Sequence, residues 1–205
     1  MRRLASWSVS MVSSSARCRV RVRWPSSSRI RSGPKWPPRV PGSAGHGTGE
    51  NEYVEILQAY TRHLSLIVDL FDEYRQNLSQ PPNPEGARAF LAERLDKRDS
   101  VIFFASEGSG SFQRALGFSQ LYPSYSSVWM KRIWILNDLY VLPECRGRGI
   151  AKALHDRARQ LAVETRARGL AFFTAHGNDT ARYLCETLGY VRDEKLHHFF
   201  LHIEE

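Results

Sequence analysis

The sequence predicts an α/β (α+β) layer fold in which helices cover a sheet built largely from hairpins. Three observations carry this reading. Stretches with a helical apolar period alternate with short β-rich runs. A Glu-Gly-Ser-Gly segment at 107–110 has the composition of a hairpin turn between two such runs. The longest apolar run, 101–105, spans five residues and fits a buried strand. It falls far short of the roughly 18–20 apolar residues that cross a membrane, so no membrane partner is expected.

The elements follow in order. Residues 53–57 read as a short strand. Residues 62–77 place Leu66, Ile67, Leu70, Phe71 and Tyr74 on one helical face. Pro81, Pro82 and Pro84 break the chain before a second helix over 85–97, with Phe90, Leu91 and Leu95 on one side. Strand 101–105 turns at 107–110 into strand 115–122. A polar loop is expected at 124–127, then a long β-rich stretch at 128–141. Beyond Pro143 a Gly/Arg loop leads into a helix with Ile150, Leu154, Ala158, Leu161 and Thr165 on one stripe. A strand at 170–175, a helix after Asn178 and two further strands complete the pattern.

Charge divides the 205-residue chain in two. The net charge is +8, yet residues 1–49 hold nine Arg, one Lys and no acid, which gives +10. The remaining 19 basic and 21 acidic residues give −2, so the body is nearly neutral. The first 49 residues also contain 11 Ser and five of the ten Pro, with Trp7, Trp24 and Trp36 outside any period. Such a segment cannot bury a core. The expected organisation is an extension over 1–50, disordered or a targeting segment, and one domain over 51–205. A mitochondrial transit peptide, a basic arm for nucleic acid and unselected upstream translation all fit the extension. Three scattered cysteines, Cys18, Cys145 and Cys185, without a CxxC pair, argue against a disulfide framework and a zinc site. A reducing, cytoplasmic location is expected, or a mitochondrial one if the extension is a transit peptide.

The chemistry sits at 139–152, Leu-Tyr-Val-Leu-Pro-Glu-Cys-Arg-Gly-Arg-Gly-Ile-Ala-Lys. A β-run ends at Val141, a loop with two glycines follows, and an amphipathic helix begins. Unpaired N–H groups and the positive end of a helix dipole suit an anion there. Glycines let the backbone approach a phosphate, and Arg146, Arg148 and Lys152 add charge. No Walker spacing exists, and Lys152 stands where the third glycine of a dinucleotide fingerprint belongs. What remains is R-x-x-G-x-A, as Arg146, Gly149 and Ala151. This resembles the coenzyme A pyrophosphate loop of the GNAT family of N-acetyltransferases. Residues 178–190, Asn-Asp-Thr-Ala-Arg-Tyr-Leu-Cys-Glu-Thr-Leu-Gly-Tyr, resemble that family's second cofactor segment. Asn178 suits a helix N-cap and Gly189 a helix stop. The resemblance covers roughly 52–205.

The resemblance implies a GNAT fold: a central mixed, mostly antiparallel sheet with a splayed parallel strand pair and helices on both faces. It implies acetyl-CoA as co-substrate, held between strands 135–141 and 170–175, without a metal. The backbone of Leu139 and Val141 would pair with the pantetheine arm. Amides of Gly147, Arg148, Gly149, Ile150, Ala151 and Lys152 would hold the pyrophosphate beside Arg146, and Asn178 would bond the pantetheine. A primary amine of a small molecule or protein would attack the thioester directly, with proximity as the main aid.

Two proton transfers remain. The family usually places Tyr, as acid, seven residues after the Asn. Here Cys185 stands there, a thiol with a reference pKa of about 8.5, or equally a small buried hydrophobe. Tyr183 points about 200° away around the helix. Asp138 is the candidate base, sharing a strand face with Tyr140; a structural carboxylate is its rival reading. His197 and His198 alternate in facing on the last strand, as a solvent-exposed pair or with one toward the cleft, and the loop from Tyr122 to Ser127 with Trp134 would shape the acceptor pocket. A catalytically weakened CoA-binding protein, and nucleic-acid binding through the arm, are the alternatives to an N-acetyltransferase. A homodimer could form through an aromatic last strand at 199–203.

Overall fold

The computed structural model describes residues 20–21, 54–108, 113–194 and 199–203. The basic extension lies outside them except for β1 (Val20–Arg21), whose backbone pairs in parallel with β2 (Val54–Gln58). Six strands lie in chain order in one sheet. β2, β3 (Val101–Glu107), β4 (Arg114–Ser126) and β5 (Lys131–Val141) form an antiparallel meander. β6 (Leu170–Phe172) adds in parallel to β5. The mixed, mostly antiparallel sheet with a parallel β5–β6 pair expected from the sequence is observed, and β1–β2 adds a second parallel pair.

Helices cover both faces. α1 (Leu64–Asn77) and α2 (Pro84–Lys97) lie on one, where Tyr74 meets the rings of Phe118 and Tyr140. α3 (Ile150–Glu164) lies on the other, where Arg157 sits 4.4 Å over the Phe103 ring. On that face Trp134 Nε1 also donates to Thr165 Oγ1, at the end of α3, at 2.8 Å. Between the layers Phe103, Phe104, Phe118, Leu116, Leu121, Leu136 and Leu154 are essentially inaccessible. Each such side chain contributes about 1.5–3 kcal/mol of burial.

Local chemistry fixes the helix ends near the site. Asn83 Oδ1 accepts the Gly86 N–H at 2.9 Å and Pro84 opens α2, a standard N-cap with proline in the first turn. Buried Asp72 accepts from Arg75, Gln76 and the Asn83 N–H, so it locks the α1–α2 connection. α1 thereby presents its last turn, Glu73, Tyr74 and Asn77, to β5.

The register of β4 and β5 shifts once. Gln120 opposes Asp138, but Leu121 opposes Leu136, so Asn137 is an extra residue on β5. The bulge reverses facing. Trp134 and Leu136 point to α3, while Asp138 and Tyr140 point to α1. Pairing with β6 stops at the same place, with Leu136 opposite Phe172 the last pair.

Several sequence expectations shift. Residues 124–126 of the expected 124–127 loop are strand, because Tyr125 pairs with Arg132 and takes a hydrogen bond from its guanidinium at 3.0 Å. The turn is therefore at 127–130, and β5 begins at Lys131 rather than residue 128. β3 runs on to Glu107, and the parallel strand ends at Phe172 rather than residue 175. Residues 199–203 form no strand and their apolar side chains are exposed, so alternation alone did not bring them to the sheet. Residues 109–112 of the expected turn, and His197 and His198, lie outside the described residues.

Gly117 tests the fit of the meander at its critical pair. A β-carbon there would lie 2.7 Å from the Tyr140 carbonyl oxygen and 3.2 Å from Val141 Cα, both backbone atoms that cannot swing away. Gly117→Ala is expected to destabilise the chain by about 1–3 kcal/mol. Urea unfolding of both proteins measures it, and an unchanged midpoint contradicts this account.

Candidate functional site

The site is built where β5 and β6 part. Leu142 N–H bonds the Leu116 carbonyl of β4 at 2.9 Å. Backbone alternation then turns the polar groups of Val141 and Leu139 to the opposite edge, toward β6, which no longer pairs there. Arg146 Nε reaches this edge and donates to the Val141 carbonyl at 3.1 Å.

A 3-10 turn at Pro143–Cys145 carries the chain from β5 to the glycine loop. Gly147 and Gly149 adopt φ of +76° and +80°, left-handed values that cost other residues free energy. A β-carbon on either would face open space. Gly149 is the N-cap of α3; it offers no side chain, and no acid lies in the first turn. The first N–H groups of this 15-residue helix are thus left to solvent or a ligand. Ile150 is buried as a core anchor, so only its backbone belongs to the loop.

The cations divide their duties. Arg148 Nη2 pairs with Glu107 Oε1 at 2.7 Å, and the pair is largely shielded, so Arg148 fastens the loop to β3. Lys152 is exposed and pairs with Asp156 one turn on. The sequence reading placed all three cations beside an anion; the structure gives Arg148 a structural partner first.

Asp138 lies on the α1 side of β5, 8% exposed. Tyr74 Oη donates to its Oδ1 at 2.8 Å, and Asn137 Nδ2 reaches both oxygens at 3.1–3.2 Å. Burial raises the Asp138 pKa, and the hydrogen bonds from Tyr74 and Asn137 offset this only in part. Burial and the adjacent Asp138 charge keep Tyr74 a phenol, and the same causes push Tyr122 up to about 12. Two positions on from Asp138, Tyr140 donates to Glu73 at 2.8 Å and accepts from Asn77 at 3.0 Å. Gln120, opposite Asp138, is fully buried; its amide N–H bonds Ser100 Oγ at 3.0 Å. Its Oε1 has no hydrogen-bond partner among the described residues. A buried carboxylate and a buried, unpaired amide oxygen therefore belong to residues opposed across β4 and β5. Beyond Glu73 a surface depression of about 320 Å³ opens, bordered also by Asp69, Arg114 and Glu144.

Asn178 and Cys185 lie on α4 (Asp179–Thr187). Asn178 Oδ1 caps that helix through the Ala181 N–H at 3.0 Å, as its sequence position implied. Cys185 is half-buried, and burial, then Glu186, raises its thiol pKa. Its carbonyl accepts the Tyr190 N–H at 3.0 Å. Among the described residues neither side chain makes a hydrogen bond or ion pair with β5 or the start of α3. The structure thus gathers Leu139, Val141 and 146–152 in one place and Asp138 behind them. It leaves Asn178 and Cys185 on a separate helix.

Sequence reasoning missed Tyr74, Asn137 and Gln120. Tyr74 read as the end of an apolar stripe, and its partner lies 64 residues away. The one available signal was Gln120, beside Ser119, among the apolar residues of its strand.

The raised pKa of Asp138 has a sign. The native state holds this proton more tightly than the unfolded chain, whose reference is 3.8. Stability is highest below that value and falls as pH rises through the native pKa. Asp138→Asn cannot ionise, and its Oδ1 can still accept from Tyr74. Its melting temperature relative to the parent is expected to climb by a few degrees between pH 4 and pH 8. A difference independent of pH would refute the assignment.

The geometry has counterparts in known proteins. The acetyltransferase (GNAT) family matches residues 67–190. YhfO, an uncharacterised N-acetyltransferase of Bacillus subtilis (strain 168), is 42% identical over 150 residues, covering 73% of this chain and 98% of its own. The crystal structure of a probable acetyltransferase superposes with a TM-score of 0.68 at 39% identity, covering 73% of this chain and 98% of its own. The aminoglycoside N-acetyltransferase AAC(6')-Iy in complex with CoA shares the fold, with a TM-score of 0.60 at 21% identity over 74% of this chain and 97% of its own. The match over more than half the chain and the extensive identity to YhfO agree, and the chain belongs to the GNAT acetyltransferase family.

Proposed function

We propose that this enzyme moves an acetyl group from acetyl-CoA to a primary amine of a small molecule or protein. One observation carries the proposal: an uncapped helix start behind two left-handed glycines adjoins a strand edge released from its neighbour. Those groups match what a pantetheine–pyrophosphate chain requires, amides along the arm and several at the phosphates. Leu139 and Val141 would hold the arm. Amides of 147–152 would hold the pyrophosphate, with Arg146 alongside and Asn178 as a further contact for the pantetheine. Acetyl-CoA supplies an activated acyl carbon, and the protein supplies orientation.

The acceptor must lose its ammonium proton before attack. Asp138 suits that step. Its pKa lies above the ordinary carboxylate value, which strengthens it as a base, and Tyr74 and Asn137 fix its orientation. Cys185 keeps its proton through neutral pH and is the candidate donor to the departing thiolate.

Melting of the full chain with excess acetyl-CoA tests the first part. Ligand at about 100 times its dissociation constant adds roughly 2.7 kcal/mol, several degrees. No shift at millimolar acetyl-CoA overturns the proposal. With an acceptor found by thiol release across an amine panel, Asp138→Asn is expected to lower kcat by about 100-fold or more. It should also abolish an acidic limb lying above the ordinary carboxylate range.

A second reading, weakened catalysis, rests on Cys185 standing where the family resemblance implies Tyr. Cys185→Tyr separates the two. Turnover within about threefold of the parent fits a competent enzyme, whereas a rise of tenfold or more, about 1.4 kcal/mol of barrier, marks a weakened one.

A further inference from the structure

The tip of the β4–β5 hairpin takes no part in the site above, and its composition is unusual. Val128 is 84% exposed, Trp129 55% and Met130 89%. Three consecutive large apolar side chains at the end of a β arm are rarely left in water without a use. The turn is held by the Trp129 N–H on Ser126 Oγ at 3.3 Å and the Met130 N–H on the Ser127 carbonyl at 3.2 Å.

Cations flank this tip in the chain and in the adjoining connection. Lys131 and Arg132 follow on β5. Arg166 and Arg168 come from the α3–β6 connection, where the Arg168 N–H bonds the Arg132 carbonyl at 2.8 Å. The Arg168 guanidinium lies 3.6 Å from the Trp129 ring centre, and Arg132 lies over Tyr125 and Trp134. None of the four cations belongs to an ion pair found among the described residues. The chain has no acid between 119 and 137 or between 165 and 178. Glu164, nearest in sequence, is engaged by Arg157 and Gln160.

We propose that this tip docks on the surface of a membrane bearing anionic lipids. Val128, Trp129 and Met130 enter the boundary between headgroups and acyl chains, and Lys131, Arg132, Arg166 and Arg168 face the lipid phosphates. A small apolar wedge within a basic rim is the composition of an interfacial binder, and Trp is favoured at that depth. Such docking needs no spanning segment, and no helix among the described residues could supply one. The sequence expectation of no membrane partner rested on span length alone. A nucleic acid fits less well: Arg168 occupies a face of Trp129, and Val128 and Met130 offer no ring for a base to stack on. A second copy fits less well again, because a two-fold contact through this tip sets four cations against four.

The test uses the full chain and sedimenting vesicles, of phosphatidylcholine alone or mixed two-to-one with phosphatidylglycerol. The parent is expected to sediment with the mixed vesicles only, and less so as salt rises. Val128→Ser/Trp129→Ser/Met130→Ser should lower its partition by about fivefold or more, and Arg166→Gln/Arg168→Gln by a similar factor. The basic extension is common to all these proteins, so its own attraction to the vesicles does not separate them. Brominated acyl chains should quench tryptophan emission in the parent more than in Trp129→Phe. These side chains are exposed, and equal melting temperatures and acetyl-CoA shifts establish that the variants fold. Equal partition of parent and apolar variant, no binding to either vesicle, or loss of single-stranded RNA binding with vesicle binding unchanged each overturn the proposal.

Discussion

Asn137 has no counterpart on β4, and three features of the active region depend on that surplus residue. It reverses the facing of β5, so that Trp134 and Leu136 serve the α3 core while Asp138 and Tyr140 turn to α1. It coincides with the end of pairing to β6, which frees the edge of Leu139 and Val141. Its own side chain then bonds the carboxylate that the reversal has buried. Without the bulge, strict alternation would put Asp138 and Leu136 on one face, and the apolar layer against α3 would have to admit a charge.

The two halves of the site are stabilised differently. The glycine-loop half is anchored from below, through buried Ile150, the Arg148–Glu107 pair and the Arg146 contact to Val141. The groups proposed to hold the pyrophosphate are backbone amides, whose direction the fold sets without any side chain having to be held. The half proposed to transfer the proton depends on a buried acid that water would otherwise solvate. Tyr74, Asn137 and their packing offset part of that cost. Active sites commonly retain such unfavourable groups because the same burial tunes reactivity.

The glycine loop was legible because its requirements are local. Glycines at two left-handed positions, a strand before and an amphipathic helix after leave a mark within fourteen residues. The alternation of elements was legible for the same reason, as was Asp138 on a face with Tyr140. The bulge was not, because a single surplus residue has no periodic signature, and Asn137 is an ordinary polar residue in a long β-rich stretch. The partners of Asp138 were hidden by distance along the chain. Ser124 and Ser126 misled in the opposite way, since an exposed two-stranded arm has the polarity of a loop, and its strand character comes from the cross-strand contact of Tyr125 with Arg132. The final segment misled through alternation: residues 199, 201 and 203 carry the pattern of a strand face, yet no strand forms there.

The order of strands along the sheet follows the order of the chain, and this sets a sequence in time. β3, β4 and β5 meet through short turns, so their closure costs little entropy and can occur as the polypeptide emerges. β6 must wait for α3 and its flanking loops, a crossover of 28 residues between Val141 and Leu170. Contacts of greater chain separation form more slowly. The meander carrying Asp138 is therefore expected to assemble first, and the parallel seam beside which the donor would lie to be the later join.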